Sequence, residues 1–285
     1  NKAWVAQVPY TDKEKELEVV TNCTALGNGW VWSTPLYSRI GTGYVFSDRF
    51  TTDEEALQEY KDFLDSDKMK IYNPNRSKDL KFRLIDVRNG FHKKCWEKNC
   101  IAIGLSWGFL EPLESSGLLF VQEAIVKLSE TLHNKMVNKI HIFNLNYYME
   151  TIMNSFKIFV LYHFTLSQRR DTKYWRYITE NIDMEKHDIS GIVIGYAERI
   201  LSRHSIEDTE NGVPDILAGM ECFPANKTHL NMVNEVMIGR GINNKELVES
   251  TTRMYWKQKR KYFQELANKS PSHHQLLTHK IYSNK

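Results

Sequence analysis

Two carboxylates three residues apart, Glu111 and Glu114, flank Pro112 in the run Gly104-Leu105-Ser106-Trp107-Gly108-Phe109-Leu110-Glu111-Pro112-Leu113-Glu114-Ser115-Ser116-Gly117. Proline narrows the turn, so the pair is held in a fixed relation suited to carrying a proton or polarising a bound group. Desolvation of Glu114 among Trp107, Phe109 and Leu110 would raise its pKa. The plainer alternative makes Glu111 an ion-pair partner and Glu114 a complement to a helix dipole, and the residues alone leave both open. Gly104 lets the backbone come close to a ligand, and a helix starting near Gly117 would aim its free first-turn amides at an anion or an electron-rich ring edge. A second candidate is Gly29-Trp30-Val31-Trp32-Ser33-Thr34-Pro35-Leu36. On a strand Trp30 and Trp32 share a face and would form one flat apolar wall that keeps water from an aromatic ligand. Two tryptophans at that spacing are also ordinary core residues.

The elements that must position these groups follow from patterning. Apolar runs at Ala3–Val8, Leu17–Val20, Gly29–Leu36 and Thr42–Phe46, broken at Thr11-Asp12, Gly27-Asn28 and Gly41, predict an antiparallel meander. Thr52-Asp53-Glu54-Glu55 fits a capping box ahead of a helix over 53–65. Strands are expected at Lys81–Val87 and Asn99–Leu105, and Leu118, Val121, Ile125, Leu128 and Leu132 mark the buried face of the helix after the acidic loop. Helical texture then dominates, roughly over 147–168, 171–180, 190–203, 228–238 and 244–268. The expected class is α+β, an antiparallel or mixed sheet half followed by a mostly helical half, divided at 1–125, 126–269 and a poorly ordered polar tail over 270–285.

Composition narrows the partners. Thirty-eight basic against 35 acidic residues give a net charge of +3 over 285 residues, which recommends neither nucleic acid nor an anionic membrane. The most apolar stretch, Ile152–Leu166, carries Asn154, Ser155, Lys157 and His163 and is unsuited to spanning a bilayer. Cys23, Cys95, Cys100 and Cys222 lack metal-ligand spacing and read as free thiols of a cytoplasmic protein, with no metal expected. The first ten residues read as a strand already under way.

Three blocks in order carry a resemblance. Trp30-Val31-Trp32-Ser33-Thr34-Pro35 resembles the Trp-x-Trp-x-Ile-Pro signature of flavin-dependent halogenases of the tryptophan-halogenase type, with Thr34 for Ile, followed by Arg39 and a Gly-Thr-Gly-Tyr-Val strand. Gly108 to Gly117 is similar to that family's Gly-Phe-Leu-Glu-Pro-Leu-Glu-Ser-Thr-Gly, with Ser116 for Thr. His163, Arg170, Asp171, Thr172 and Trp175 resemble its His-Tyr segment and the Arg-Asp-Thr run after it, with Phe164 for Tyr.

The resemblance implies a flavin-monooxygenase-like fold and a reaction of reduced FAD, O2 and halide that halogenates an indole-like or phenolic substrate. It implies that Glu114 is the catalytic glutamate and that the backbone amides of Ser116 and Gly117 hold the halide. Gly104, Pro112, Ser116, Gly117 and Leu118 would contact the flavin, while Trp30, Trp32, Pro35 and Phe109 would line the path to the substrate. The implied partners are the aromatic substrate and a separate flavin reductase, with a homodimer as an open assembly. Among 14 glycines none makes the family's Gly-x-Gly-x-x-Gly phosphate loop, the nearest being Gly239-x-Gly241, and no lysine takes its catalytic role. The N-terminal dinucleotide-binding part is therefore expected to be absent, with the chain by itself inactive, a weak binder of FAD and poorly soluble. The alternatives are a flavin monooxygenase without halide use and a non-enzymatic binding module built on Arg253, Tyr255, Trp256, Lys257, Lys259, Arg260, Lys261 and Tyr262.

Overall fold

The structure is a computed structural model that describes residues 1–133, 137–182 and 245–282. Strands β1 (Lys2–Val8), β2 (Asn22–Ala25), β3 (Gly29–Leu36), β4 (Arg39–Phe46) and β5 (Arg83–Asp86) form one sheet in the order β2-β3-β4-β1-β5, with every ladder antiparallel. The expected run at Leu17–Val20 is not a strand. Asp12 accepts the Lys15 amide and caps a short helical turn, α1 (Lys13–Glu16), whose Glu16 side chain turns inward to accept the amides of Thr11 and Asp12. That carboxylate also meets Arg76 at 2.7 Å, with both side chains 1% exposed.

The sheet presents two faces because side chains alternate along each strand. One face, with Ala6, Val8, Val31, Ile40, Tyr44 and Phe46, packs on helix α2 (Asp53–Leu64) through Ala56, Tyr60, Phe63 and Leu64. The capping box forms as expected: Thr52 Oγ1 accepts the Glu55 amide at 3.2 Å, and the Glu55 carboxylate accepts the Thr52 amide at 3.0 Å. Lys2 pairs with Asp53 at 2.8 Å, tying the helix start to β1. The other face carries Ala3, Trp30, Val45 and Trp32 and is partly covered by Leu113 and Phe164.

Beyond the sheet, the strand expected over Asn99–Leu105 shrinks to a short ladder. β6 (Gly90–Phe91) pairs with β9 (Gly108–Phe109), and β7 (Trp96–Glu97) pairs with β8 (Cys100–Ile101). Gly104–Ser106 is a 3-10 turn, because Ser106 Oγ reaches back to both the amide and the carbonyl of Ile103 and diverts the chain.

Helices α3 (Gly117–His133) and α4 (Lys139–Thr165) pack together over a core that includes Trp107, Phe120, Ala124, Leu145, Met149 and Met153. The buried face of α3 is Phe120, Ala124 and Thr131, whereas Leu118, Ile125 and Leu132 are exposed; one apolar helix offered two candidate stripes, and α4 covers the other one. α4 begins well ahead of residue 147 because Asn138 accepts the amides of Ile140 and His141. The division expected at 125/126 falls inside α3. Helix α5 (Lys173–Asn181) is capped by Thr172, and α6 spans Lys245–Lys269. The helices expected over 190–203 and 228–238 lie outside the described residues.

The described part of the tail, residues 270–282, is anchored where poor order was expected. Ser272 and Gln275 form a capping box on α7 (His273–Leu276), His273 Nδ1 lies 2.9 Å from the Glu18 carbonyl, and Tyr282 stacks on Tyr37.

Candidate active site

Glu114 sits at the corner where the loop meets α3. Glu114 (φ 66°) and Ser115 (φ 52°) both adopt the left-handed region that non-glycine residues avoid. Two such residues in a row cost about 1–3 kcal/mol each and persist only where surrounding structure imposes them. Pro112 opens the corner, Leu113 is buried against the sheet face that carries Trp30, and the Ser115 amide closes on the Pro112 carbonyl at 3.0 Å. The result is a carboxylate 44% exposed and aimed off the corner.

Its partner comes from α4. His163 Nε2 lies 3.0 Å from Glu114 Oε1, while His163 Nδ1 lies 3.0 Å from the Phe159 carbonyl. A carbonyl only accepts, so Nδ1 must carry a hydrogen. In neutral imidazole Nε2 is then an acceptor and Glu114 must supply the proton; in imidazolium Nε2 donates to the carboxylate. In either form one proton lies between Glu114 and His163. Cys23, on β2 opposite Trp32, feels the same carboxylate: its thiol is pushed up to about 11, first by desolvation and then by Glu114.

Glu111 reverses the expected roles of the pair. It is the buried carboxyl, and burial raises its pKa above the ordinary value, opposed by hydrogen bonds from Trp30 and Asn89. The Trp30 indole N–H donates to Glu111 Oε1 at 2.6 Å, so its partner is an indole and not an ion.

Trp30 and Trp32 do share a face, but their rings are 6.1 Å apart and tilted by 54°, so they form a corner and not a flat wall. Trp32 lies over Gly43, where a Cβ would stand 2.2 Å from its ring; only glycine leaves room. Pro35 pairs with Ile40 and lines the opposite side of the sheet with Ser33 and Glu16, away from the tryptophans. Phe109 is held in the β6–β9 ladder. Gly104 needs its glycine, with φ at 65°.

The Phe120 amide bonds the Ser116 carbonyl at 3.1 Å and closes the first turn of α3, so the amides of Gly117, Leu118 and Leu119 have no acceptor within the helix. Leu118 and Leu105 flank them at 83% and 81% exposure. Free amides beside exposed apolar side chains fit a planar ring with an electron-rich edge. Among the described residues no three His, Cys, Asp or Glu side chains gather as a metal site. Nor is any helix among them long and apolar enough to cross a membrane.

A second cavity, of about 610 Å3, opens between β4, α4 and α5 and is lined by Phe46, Phe50, Phe91, Phe164 and Tyr174 with Glu111 at its wall. Sequence reading missed its aromatic lining, which comes from four separate segments.

It also missed what the Arg-Asp-Thr block does. Arg169 Nη1 donates to the carbonyls of Ala25 and Leu26, Thr172 Oγ1 to Gly27 and the Trp175 indole to Leu26, at 2.7–2.9 Å. Asp171 holds the Arg169 fork through two hydrogen bonds. The block therefore latches the turn before the Trp-bearing strand, and the clamp is Arg169, with Arg170 bonding its own loop.

Comparison with known proteins gives consistent results. The protein-family model described as tryptophan halogenase matches residues 1–232. The tryptophan 7-halogenase RebH of Lentzea aerocolonigenes is 35% identical over 178 residues, which cover 62% of this chain and 32% of that protein. Among solved structures, that of VirX1 superposes with a TM-score of 0.79 at 32% identity, covering 99% of this chain and 53% of the other. A tryptophan halogenase from Shewanella frigidimarina NCIMB 400 shares the fold, with a TM-score of 0.71 at 24% identity over 97% of this chain and 50% of that one. The match thus spans about a third of the curated relative and about half of the solved chains.

Proposed function

We propose, for a chain that belongs to the tryptophan halogenase family, that these residues form the halogenation corner of a flavin-dependent halogenase acting on an aromatic, indole-like or phenolic substrate. When bound, reduced FAD with O2 supplies the oxidising power that turns halide into hypohalous acid, and a separate flavin reductase supplies the reduced flavin. The chain's part is to hold, orient and exclude water.

Residues of this corner fit the ring of that cofactor. Gly104, Pro112, Ser116, Gly117 and Leu118 would lie along it, with the free amides at the start of α3 toward its polar edge and toward the halide. Trp30, Trp32 and Phe109 stand between this edge and the substrate side and keep water out. Glu114 would orient the hypohalous acid and take the proton lost by the aromatic ring, with His163 sharing that proton. The observation that carries the reading is this pairing of a carboxylate in a strained corner with a histidine whose other nitrogen is already committed.

The test gives the full gene product reduced FAD, bromide or chloride and a panel of indoles and phenols, with products read by mass spectrometry. Halogenated product is expected. Hydroxylated product alone would point to a monooxygenase instead, and no product with any substrate would overturn the reading. The 285 residues alone, which contain no Gly-x-Gly-x-x-Gly loop for the FAD phosphates, are expected to bind FAD weakly and to show no turnover.

A further inference from the structure

The cavity of about 610 Å3 between β4, α4 and α5 takes no part in the proposed reaction, since none of the residues placed along the flavin, the halide or the substrate path lines it. Its size is that of a small-molecule site, roughly 300–1,000 Å3. Phe50, Phe91, Phe164 and Tyr174 make its interior aromatic, which suits a planar ring.

Tyr174 is 7% exposed, and its hydroxyl has no hydrogen-bond partner among the described residues. Burial raises its pKa, first through desolvation and then through the charge of Glu111. A phenol taken out of water without an acceptor is costly, and an acceptor brought by a ligand removes that cost. Arg49 adjoins the same ring that Tyr174 touches. Its guanidinium carbon lies 5.6 Å from the Phe50 centroid and 4.3 Å from that of Tyr177, and Tyr174 meets Phe50 edge-on at 5.7 Å. Stacking on Tyr177 fixes the plane of the fork and leaves its N–H edge free. Among the described residues the side chains of Arg49 and of Lys157, at the same cavity, enter no ion pair or hydrogen bond, and both are exposed to an incoming ligand. Glu111 is the single carboxylate of the described lining; burial raises its pKa, and its Oε1 already accepts the Trp30 indole. Two cations, a phenol donor and an aromatic interior match a flat ring that bears one carboxylate.

We propose that this cavity binds an aromatic carboxylate, with the ring among Phe91, Phe164 and Tyr174 and the carboxylate beside Phe50, accepting from the Arg49 guanidinium and the Tyr174 hydroxyl. Lys157 adds charge at the mouth. The inference does not rest on halogenation, because binding is measured with no flavin and no halide present.

The probe 2-naphthoate is titrated by calorimetry into the full gene product, alongside 2-naphthamide, which keeps the ring without the charge, and acetate, which keeps the charge without the ring. Saturable binding of 2-naphthoate is expected, weakened by high salt, with 2-naphthamide about tenfold weaker and acetate not saturating. Arg49→Gln should weaken 2-naphthoate about tenfold and Tyr174→Phe roughly fivefold, the second keeping the ring that packs on Phe50. Lys94→Gln, at a surface lysine paired with Glu97, should change nothing. Thermal melts check that each variant folds; should Tyr174→Phe not fold, Arg49→Gln decides alone, since its side chain is exposed. No saturable binding of 2-naphthoate, equal affinity for 2-naphthamide, or unchanged affinity in the folded variants overturns the proposal.

Discussion

Replacing Glu114 with Gln removes the charge and the shared proton while keeping the shape. Halogenation by the full gene product should fall about 10²-fold or more in kcat, with flavin affinity nearly intact, as measured by steady-state rates and flavin fluorescence. Equal loss of flavin affinity would make Glu114 a structural cap instead. His163→Gln should lower kcat in the same direction, because it removes the imidazole Nε2 that lies 3.0 Å from Glu114. Glu111 gives a prediction of another kind. Burial raises its pKa, so the folded chain holds that proton more tightly than the unfolded chain does. Its stabilising contribution is therefore complete below the unfolded value of ~4.3 and is lost as pH rises through the raised folded value. Glu111→Gln keeps the acceptor for Trp30 and cannot ionise. Its melting temperature should decline less than wild type as pH is raised from 4 upward, and parallel curves would show that Glu111 does not titrate in that window.

The left-handed corner is testable as an element. An L-residue there costs about 1–2 kcal/mol, and glycine brings its own entropy loss of about 0.5–1 kcal/mol. Ser115→Gly should thus stabilise the chain by roughly 0.5–1 kcal/mol in urea unfolding; a loss of stability would mean that the corner is not strained. How far the elements were legible depended on where each signal was stored. The capping box at Thr52, the meander of β3 and β4 and the loop holding Glu111 and Glu114 are local patterns, and all were readable. Ser272-x-x-Gln275 is the same kind of signal as Thr52-x-x-Glu55, and Asn138 is a cap ahead of α4, so both could have been found. The buried stripe of α3 could not, because Phe120 and Ala124 are chosen by α4 over an equally apolar stripe at Leu118, Ile125 and Leu132. In the site, the identity of Glu114 was legible but its partner was not: His163 is 49 residues away. The inversion of Glu111 and Glu114 likewise depended on which one faced Trp30.

At the scale of the whole molecule, the exposed stripe of Ile125 and Leu132, 54% exposed each, lies on the same helix as Leu118. Exposed apolar stripes of this kind promote association. Ile125→Lys with Leu132→Lys should reduce binding of a hydrophobic dye and shift the chain toward monomer in size-exclusion chromatography, with no change in melting temperature beyond about 0.5 kcal/mol equivalent. An unchanged elution profile and dye signal would mean that the stripe is not what associates. The latch on the turn at residues 25–27 works across a greater distance. Its donors, Arg169, Thr172 and Trp175, lie 143 to 149 residues downstream of the carbonyls they hold. A ribosome adding about 5–20 residues per second must therefore work for roughly 6 to 26 seconds after the Trp-bearing hairpin emerges before the groups that fasten it exist. During that interval the nascent hairpin has its two indoles and no clasp, and it is a stretch that a chaperone would have reason to hold.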